Sequence, residues 1–264
     1  MATSDGKFLH GGLGKYIYRK YRGRQVIQER PNGEHFRLTE ASKKSGSLFG
    51  IASNLAAAFR DNLWDTISGF QDGTMVSRFN KEVLYAVRQA HDPQTMTYKF
   101  TNDGLERLRG FEFNMDSPLR NYFFIQPQIN IQDQLLKVTI PEFSMPQAIK
   151  LPKETNDFKV CISLAMYDLV HGKSKRETVK SVDVKNAFIQ QKIESHQFDF
   201  ELEPGCVCIV SVYLKYEQST FSGSRSLNSK SCNPSAILKA FVADGEVADN
   251  LKWNEIPRFL LLGK

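Results

Sequence analysis

The stretch Phe158-Lys159-Val160-Cys161-Ile162-Ser163-Leu164-Ala165-Met166 decides the fold class. Every second residue, Phe158, Val160, Ile162, Leu164 and Met166, is large and apolar, and the residues between them are small or polar. A period of two is that of a β-strand, so this pattern places one side of a strand on a core. The neighbouring chain repeats the theme. Leu135 to Ile140 alternates well enough for a strand, and so does Phe123 to Ile131, although Pro127 demotes part of the latter to an edge or a bulge. Downstream, His171-Gly172-Lys173-Ser174-Lys175 reads as a loop before a more polar strand from Arg176 to Val184. Gln197 to Leu202, the turn Glu203-Pro204-Gly205 and Cys206 to Tyr216 read as a hairpin, and Ala236 to Ala243 as a last strand. About seven short strands with no helices between them predict an antiparallel, immunoglobulin-like β-sandwich over residues 116–264.

Two segments of that region carry other signals. Gln218 to Ser235 is rich in Ser and Asn, too polar for a core and too long for a minimal hairpin, which predicts a surface loop. Leu251 to Lys264 holds Trp253 and the run Phe259-Leu260-Leu261-Leu262, and so apolar an end is expected to be pinned to something.

Upstream, residues 37–115 read as helical. Thr39 is placed to cap a helix in which Leu48, Ile51, Leu55, Phe59 and Leu63 recur at steps of three and four. A second line of small residues, Ser42, Gly46, Gly50, Ser53 and Ala57, forms another face of the same helix. An exposed glycine inside a helix costs about 1 kcal/mol relative to alanine, so this face is expected to pack closely, against another element of the chain or against a second subunit. Gly69 to Gly73 breaks the helix. Met75, Phe79, Val83 and Val87 form a second stripe that stops at His91-Asp92-Pro93, because proline disfavours helical geometry in the residue before it.

Residues 1–36 read as a basic hairpin arm. Residues 1–62 carry eleven Lys/Arg against five Asp/Glu, whereas residues 63–264 carry twenty-four of each. The densest part, Lys15-Tyr16-Ile17-Tyr18-Arg19-Lys20-Tyr21-Arg22-Gly23-Arg24, sets five cations and three tyrosines in ten residues without an acid. Lys15 to Tyr21 and Arg24 to Glu29 read as the strands of a hairpin turned at Arg22-Gly23 and ended by Pro31-Asn32-Gly33, with Gly11, Gly12 and Gly14 as a mobile or closely packed lead-in. A basic ribbon of this density repels itself unless an acidic surface or a polyanion screens it. Lys15, Tyr16, Tyr18, Arg19, Lys20, Tyr21, Arg22 and Arg24 are therefore the candidate partner-binding residues.

Several classes of chemistry find no support. At 264 residues, with 41% hydrophobic and 11% aromatic side chains, the chain has ample material for a core. No apolar run approaches the roughly 18 to 20 residues of a bilayer span, and Met1 to Phe8 lacks the pattern of a secretory signal, which predicts a chain made in the cytoplasm, with release in a particle left open. Cys161, Cys206, Cys208 and Cys232 lack the spacing of a zinc knuckle or redox pair and are expected as reduced thiols. His10, His35, His91, His171 and His196 are scattered, none three or four residues from another His or a Cys, so no metal is expected. Gly11-Gly12-Leu13-Gly14 precedes a strand, not the helix that a phosphate-cradling loop requires. Neither a cofactor nor an enzymatic activity is expected.

The spacing Gly11-Gly12-Leu13-Gly14-Lys15-Tyr16-Ile17-Tyr18-Arg19, then Gly23-Arg24-Gln25-Val26 and Arg30-Pro31, resembles that of a group of uncharacterised proteins of Bacteroidetes-type bacteria. Met75-Val76-Ser77-Arg78-Phe79 and Leu108-Arg109-Gly110-Phe111-Glu112-Phe113-Asn114 extend the resemblance over about the first 115 residues and, more loosely, the β domain. It implies the order arm, helices, β domain, and implies no activity. With the arm, the small-residue helix face and the apolar tail, the sequence leads to a non-enzymatic structural protein that assembles with copies of itself into a filament, tube or phage-like particle. The alternative is a nucleic-acid-binding protein that uses the basic aromatic hairpin.

Overall fold

The computed structural model of the protein describes residues 2–30, 39–221, 223–249 and 251–257. It forms two compact units, Met1–Gly46 and Ser47–Lys264. Pro31-Asn32-Gly33 and Phe259 to Leu262 lie outside the described residues.

In the first unit four antiparallel strands follow one another as a meander: β1 (Thr3–Ser4), β2 (Leu9–Leu13), β3 (Tyr16–Tyr21) and β4 (Arg24–Glu29). The β3–β4 hairpin is set by its turn. Arg22 at φ 49° and Gly23 at φ 75° are both left-handed, the geometry that matches the twist of the flanking strands, and Tyr21 then pairs with Arg24 and Arg19 with Val26. The glycines upstream are not a loose lead-in. Gly11 pairs with Tyr18 and Gly12 with Ile17, because the ladder is made by backbone groups that glycine also carries. Where the β2–β3 ladder stops, the Gln25 side chain continues it: its Oε1 accepts the Leu9 N–H at 2.7 Å and its Nε2 donates to the Leu9 carbonyl at 3.0 Å.

The second unit is layered. Its helices are α1 (Glu40–Asn62, which starts before the unit boundary), α2 (Trp64–Ile67), α3 (Met75–Ala90) and α4 (Asn102–Leu105). The Thr39 hydroxyl accepts the Ser42 N–H at 3.1 Å, capping α1. Every residue of the α3 stripe, Met75, Phe79, Val83 and Val87, is buried. The strands follow as β5 (Gln128–Gln132), β6 (Leu135–Ile140), β7 (Phe143–Met145), β8 (Asp157–Asp168), β9 (Lys173–Arg176), β10 (Lys180–Val184), β11 (Gln191–Ile193), β12 (His196–Glu201), β13 (Val207–Thr220), β14 (Gly223–Ser226), β15 (Ser235–Val242) and β16 (Asn254–Glu255). A large antiparallel sheet is centred on β8 and β13, which pair over eleven rungs from Val207↔Tyr167 to Glu217↔Asp157. A smaller sheet runs β12-β6-β5.

β8 explains the layering. Its Phe158, Val160, Ile162, Leu164 and Met166 meet Leu136, Val138 and Ile140 of β6 and Phe200 of β12 in one core. The opposite face is not open to water as single-sided alternation implies. Ala165 and Tyr167 pack with Phe59 of α1 and Phe79 of α3 in a second core, and Ser163 is fully buried. Small residues there let helices approach the sheet, and the Tyr167 hydroxyl donates to the Phe59 carbonyl at 3.0 Å.

Two further expectations are corrected. β12 and β13 do not form a hairpin: β12 pairs with β6 and β13 with β8, so Glu203-Pro204-Gly205 carries the chain from one sheet to the other. Gly205, at φ 70°, is required there, since a Cβ would stand 2.7 Å from the Val247 nitrogen. Nor is Gln218 to Ser235 one loop. Gln218 to Thr220 extend β13 and pair with Gly223 to Arg225 of β14. Then the Asn228 amide fills the gap before β15, its Oδ1 accepting the Tyr216 N–H at 2.8 Å and its Nδ2 donating to the Leu214 carbonyl at 2.7 Å.

Asp72 ties the start of α3 to the segment beyond it. Its carboxylate accepts the Thr74 N–H at 2.7 Å, the Met115 N–H at 3.1 Å and the Arg78 guanidinium, which also donates to the Glu112 carbonyl at 3.0 Å. Burial raises its pKa, but the Thr74 hydroxyl, the two amides and Arg78 outweigh that and bring it from 3.8 to about 2. A carboxylate depressed in the folded state contributes stability that is full above the unfolded pKa and is lost as pH falls from about 4 to about 2. Asp72→Asn is expected to cost roughly 2 kcal/mol at neutral pH and to flatten the acid limb of the stability curve in that window, read by urea unfolding at stepped pH. An unchanged acid limb would assign the effect to other carboxylates.

Candidate functional site

The candidate site is the arm sheet. Residues opposite one another across an antiparallel ladder share a face, so the register sorts its side chains. Leu13, Tyr16, Tyr18, Lys20, Gln25, Ile27 and Glu29 lie on one face. Ile17, Arg19, Tyr21, Arg24, Val26 and Gln28 lie on the other. The basic aromatic ribbon is thus two-sided, with Tyr16, Tyr18 and Lys20 apart from Arg19, Tyr21 and Arg24. Lys15 and Arg22 stand in the turns that flank β3, with the Arg22 guanidinium 5.3 Å from the centre of the Tyr21 ring. The Lys20 ammonium is 4.7 Å from the Phe8 ring centre.

None of the described residues of the first unit is buried. Leu9, Leu13, Tyr16, Tyr21 and Ile27 are all exposed, with Leu13 and Ile27 each at 56%. A sheet normally hides at least one apolar face, and a small isolated one is at best marginally stable in water. The charge is equally uncovered. Residues 1–46 hold ten Lys/Arg against four Asp/Glu. Asp5 is occupied by the Phe8 N–H, His10 and the Lys7 N–H, which together hold its pKa at about 2, and Glu40 pairs with Lys43 at 2.8 Å. Among the described residues Lys15, Arg19, Lys20, Arg22 and Arg24 make no ion pair.

No family model matches the chain, and no curated protein is similar to it. The site must therefore be read from its own chemistry.

The small-residue helix face divides along its length. Ser42 and Gly46 are exposed, Gly50 and Ala57 are half-buried, and the Ser53 hydroxyl accepts from Asn80 of α3 at 3.3 Å. A Cβ built at Gly46 or Gly50 meets no described atom within 4 Å. Among the described residues, a contact to a neighbouring element is made at Ser53 and at neither glycine.

Sequence reasoning passed over one pair that the fold brings together. In the β8–β9 turn the fully buried Asp168 carboxylate accepts the Val170 N–H at 2.9 Å and the His171 N–H at 2.8 Å, and its other oxygen lies 2.8 Å from His171 Nδ1. The signal was an Asp three residues before a His. An imidazole oriented by a carboxylate supplies two of the three members of a nucleophile-activating triad. Across the ladder stands Cys206, fully buried, its thiol pushed up to about 12 by burial and then by Asp168, so it is a protonated thiol at neutral pH. Burial likewise raises Cys161, to about 11, and Cys208 and Cys232. Among the described residues no group of three His, Cys, Asp or Glu is placed to hold a metal ion, and no helix is long and apolar enough to cross a membrane.

Proposed function

We propose that this chain is a non-enzymatic structural protein that assembles with copies of itself into a filament, tube or phage-like particle, with the arm sheet as the contact. The observation that carries the reading is a four-stranded sheet with no buried residue, exposing Leu13, Tyr16 and Ile27 on one face and Arg19, Tyr21 and Arg24 on the other. Covering such a face on a neighbour removes apolar surface from water at about 25 cal/mol per Å², and an arm that reaches a different surface of the next copy makes a contact that repeats without closing. The immunoglobulin-like form of the β domain belongs to the same proposal. Two antiparallel sheets around one core and a turn that passes between them support it. Membership of the Bacteroidetes-type group and synthesis in the cytoplasm are further parts of it.

Removal of residues 1–31 tests the role of the arm. The second unit carries both apolar cores, so its circular-dichroism β signature is expected to survive while the large species disappear from size-exclusion profiles. Loss of folding would instead make the arm an integral part of the core.

The second reading is nucleic-acid binding, favoured by the face that Arg19, Tyr21 and Arg24 share. Filter binding decides it: four arm cations on phosphates predict a slope of about −4 in log K against log salt on duplex DNA, and no retention at low salt removes the reading.

A further inference from the structure

A sheet edge is a row of unpaired backbone groups, and proteins commonly guard it with charge, proline or a bulge. β5, Gln128-Ile129-Asn130-Ile131-Gln132, has none of the three. It is an edge of the β12-β6-β5 sheet, and its register with β6 runs without a break. Among the described residues of the second unit it is the one edge strand of five residues or more without a charged side chain.

The alternation of the ladder says which of its groups are free. The Leu202 N–H donates to the Gln134 carbonyl at 2.8 Å, so Leu136, Val138 and Ile140 turn their backbone groups to β12, while Leu135, Lys137 and Thr139 turn theirs to β5. Their partners there are Gln132, Asn130 and Gln128. Ile129 and Ile131 therefore direct N–H and C=O away from β6, where no described residue bonds to them, and both are only half-buried.

The surroundings of this edge are acidic. A cleft of about 390 Å³ meets Ile131 between α4 and the end of β15, and its charged lining is Asp103, Glu106 and Asp244 against Lys239 alone. Glu106 is paired with Arg109 at 3.1 Å. Asp103 and Asp244 are exposed and belong to no ion pair among the described residues. An unguarded edge beside uncompensated carboxylates fits an extended, cationic segment, which would gain backbone bonds from the one and charge complementarity from the other.

β4 of the arm is such a segment. The Arg30 N–H donates to the Lys15 carbonyl at 2.6 Å, so Arg24, Val26 and Gln28 turn their backbone groups to β3, and Gln25, Ile27 and Glu29 turn theirs outward from the edge of the arm sheet. Lys20 and Arg24 stand opposite Gln25 and Tyr21 at the turn end of the hairpin, and neither makes an ion pair among the described residues. On the assembly reading, which this inference presupposes and which leaves the surface that receives the arm open, we propose that β4 of one copy adds to the β5 edge of a second copy as a further strand, its hairpin cations set against Asp103 and Asp244.

The test uses the full chain. Unlabelled and heavy-nitrogen-labelled chains are mixed at low concentration, concentrated, treated with a carbodiimide that joins an ammonium to a carboxylate without a spacer, and mapped by mass spectrometry. The expected links join Lys15 or Lys20 of one isotope to Asp103 or Asp244 of the other. Ile27→Pro and Ile27→Ala supply a second measurement. Proline at an outward-facing position of an edge strand leaves the β3–β4 ladder intact and removes the N–H that strand addition needs, whereas alanine removes only the side chain. Ile27→Pro should raise the concentration at half-assembly about tenfold above that of Ile27→Ala. Large species that form without links to either aspartate, or equal behaviour of the two variants, would overturn the β5 edge as the receiving surface and leave assembly standing. Links confined to a single isotope would place the arm on its own chain and overturn the contact between copies. Absence of both large species and links would overturn the assembly reading and this inference with it.

Discussion

Replacing Arg19, Lys20, Arg22 and Arg24 together by Gln is expected to raise the concentration at which the chain assembles by about ten- to a hundredfold. The four side chains are exposed and make no ion pair among the described residues, so their charges are available to a partner surface. Exposed ion pairs contribute about 0.2 to 1 kcal/mol each, so four lost at once amount to roughly 1 to 3 kcal/mol per contact, which is that fold-change. The hairpin survives the change, because Gly23 and the backbone ladder are untouched. High salt should mimic the substitution, since screening falls to about 3 Å near 1 M. Light scattering against concentration, with and without salt, reads both effects. Assembly unchanged in both would mean that Leu13, Tyr16 and Ile27 hold the contact alone and that the cations serve another partner, nucleic acid first.

Asn228→Ala is expected to destabilise the second unit by roughly 3 kcal/mol. The long β13 has its outer edge covered in pieces: β14 from Glu217 to Thr220, β15 from Val207 to Tyr213, and the Asn228 amide in the gap. Alanine there leaves the Tyr216 N–H and the Leu214 carbonyl without their partner beside two fully buried residues, and Asn233 loses the 2.9 Å bond to its Oδ1. Each buried group left unpaired costs about 1 to 3 kcal/mol, and Tm should fall by about 5 to 10 °C in calorimetry. Asn228→Asp keeps the acceptor for Tyr216 but sets a carboxylate oxygen against the Leu214 carbonyl and Asn233 Oδ1, so it should be no more stable than Asn228→Ala. A Tm for Asn228→Ala equal to that of the parent would show that water replaces the amide at no cost.

These two sites mark where the sequence is legible and where it is not. The β3–β4 hairpin could be read because Arg22-Gly23 encodes its own turn geometry locally. The α3 stripe and its stop at His91 could be read because helical spacing and a proline two residues on are local signals. β6 could be read because Leu136, Val138 and Ile140 alternate with half-buried residues. β2 could not, since Gly11 and Gly12 have no side chains to alternate, yet pair through backbone groups. β14 was hidden because all its residues are exposed and polar, so the ladder with β13 leaves no mark in hydrophobicity. The β12–β13 junction looks like a hairpin turn locally. Only the competition between sheets assigns one strand to β6 and the other to β8.

The second face of β8 was the larger omission. Ser163 and Ala165 read as the solvent side of a strand, but their small size admits a helix layer, and nothing in the local pattern says that α1 and α3 return to cover them. For the candidate site, the sequence proposes the eight arm residues but does not divide them between faces. That division needs the register, which places Tyr16 and Tyr18 on one face and Tyr21 with Arg19 and Arg24 on the other.

The account stands on the arm as an uncovered contact surface, and sedimentation velocity of the full chain over a wide concentration range, with negative-stain images of the same samples, tests that most directly. It predicts species that grow with concentration and elongated or tubular particles on the grid. A single monomer boundary at every concentration, with only isolated small particles in the images, would contradict it.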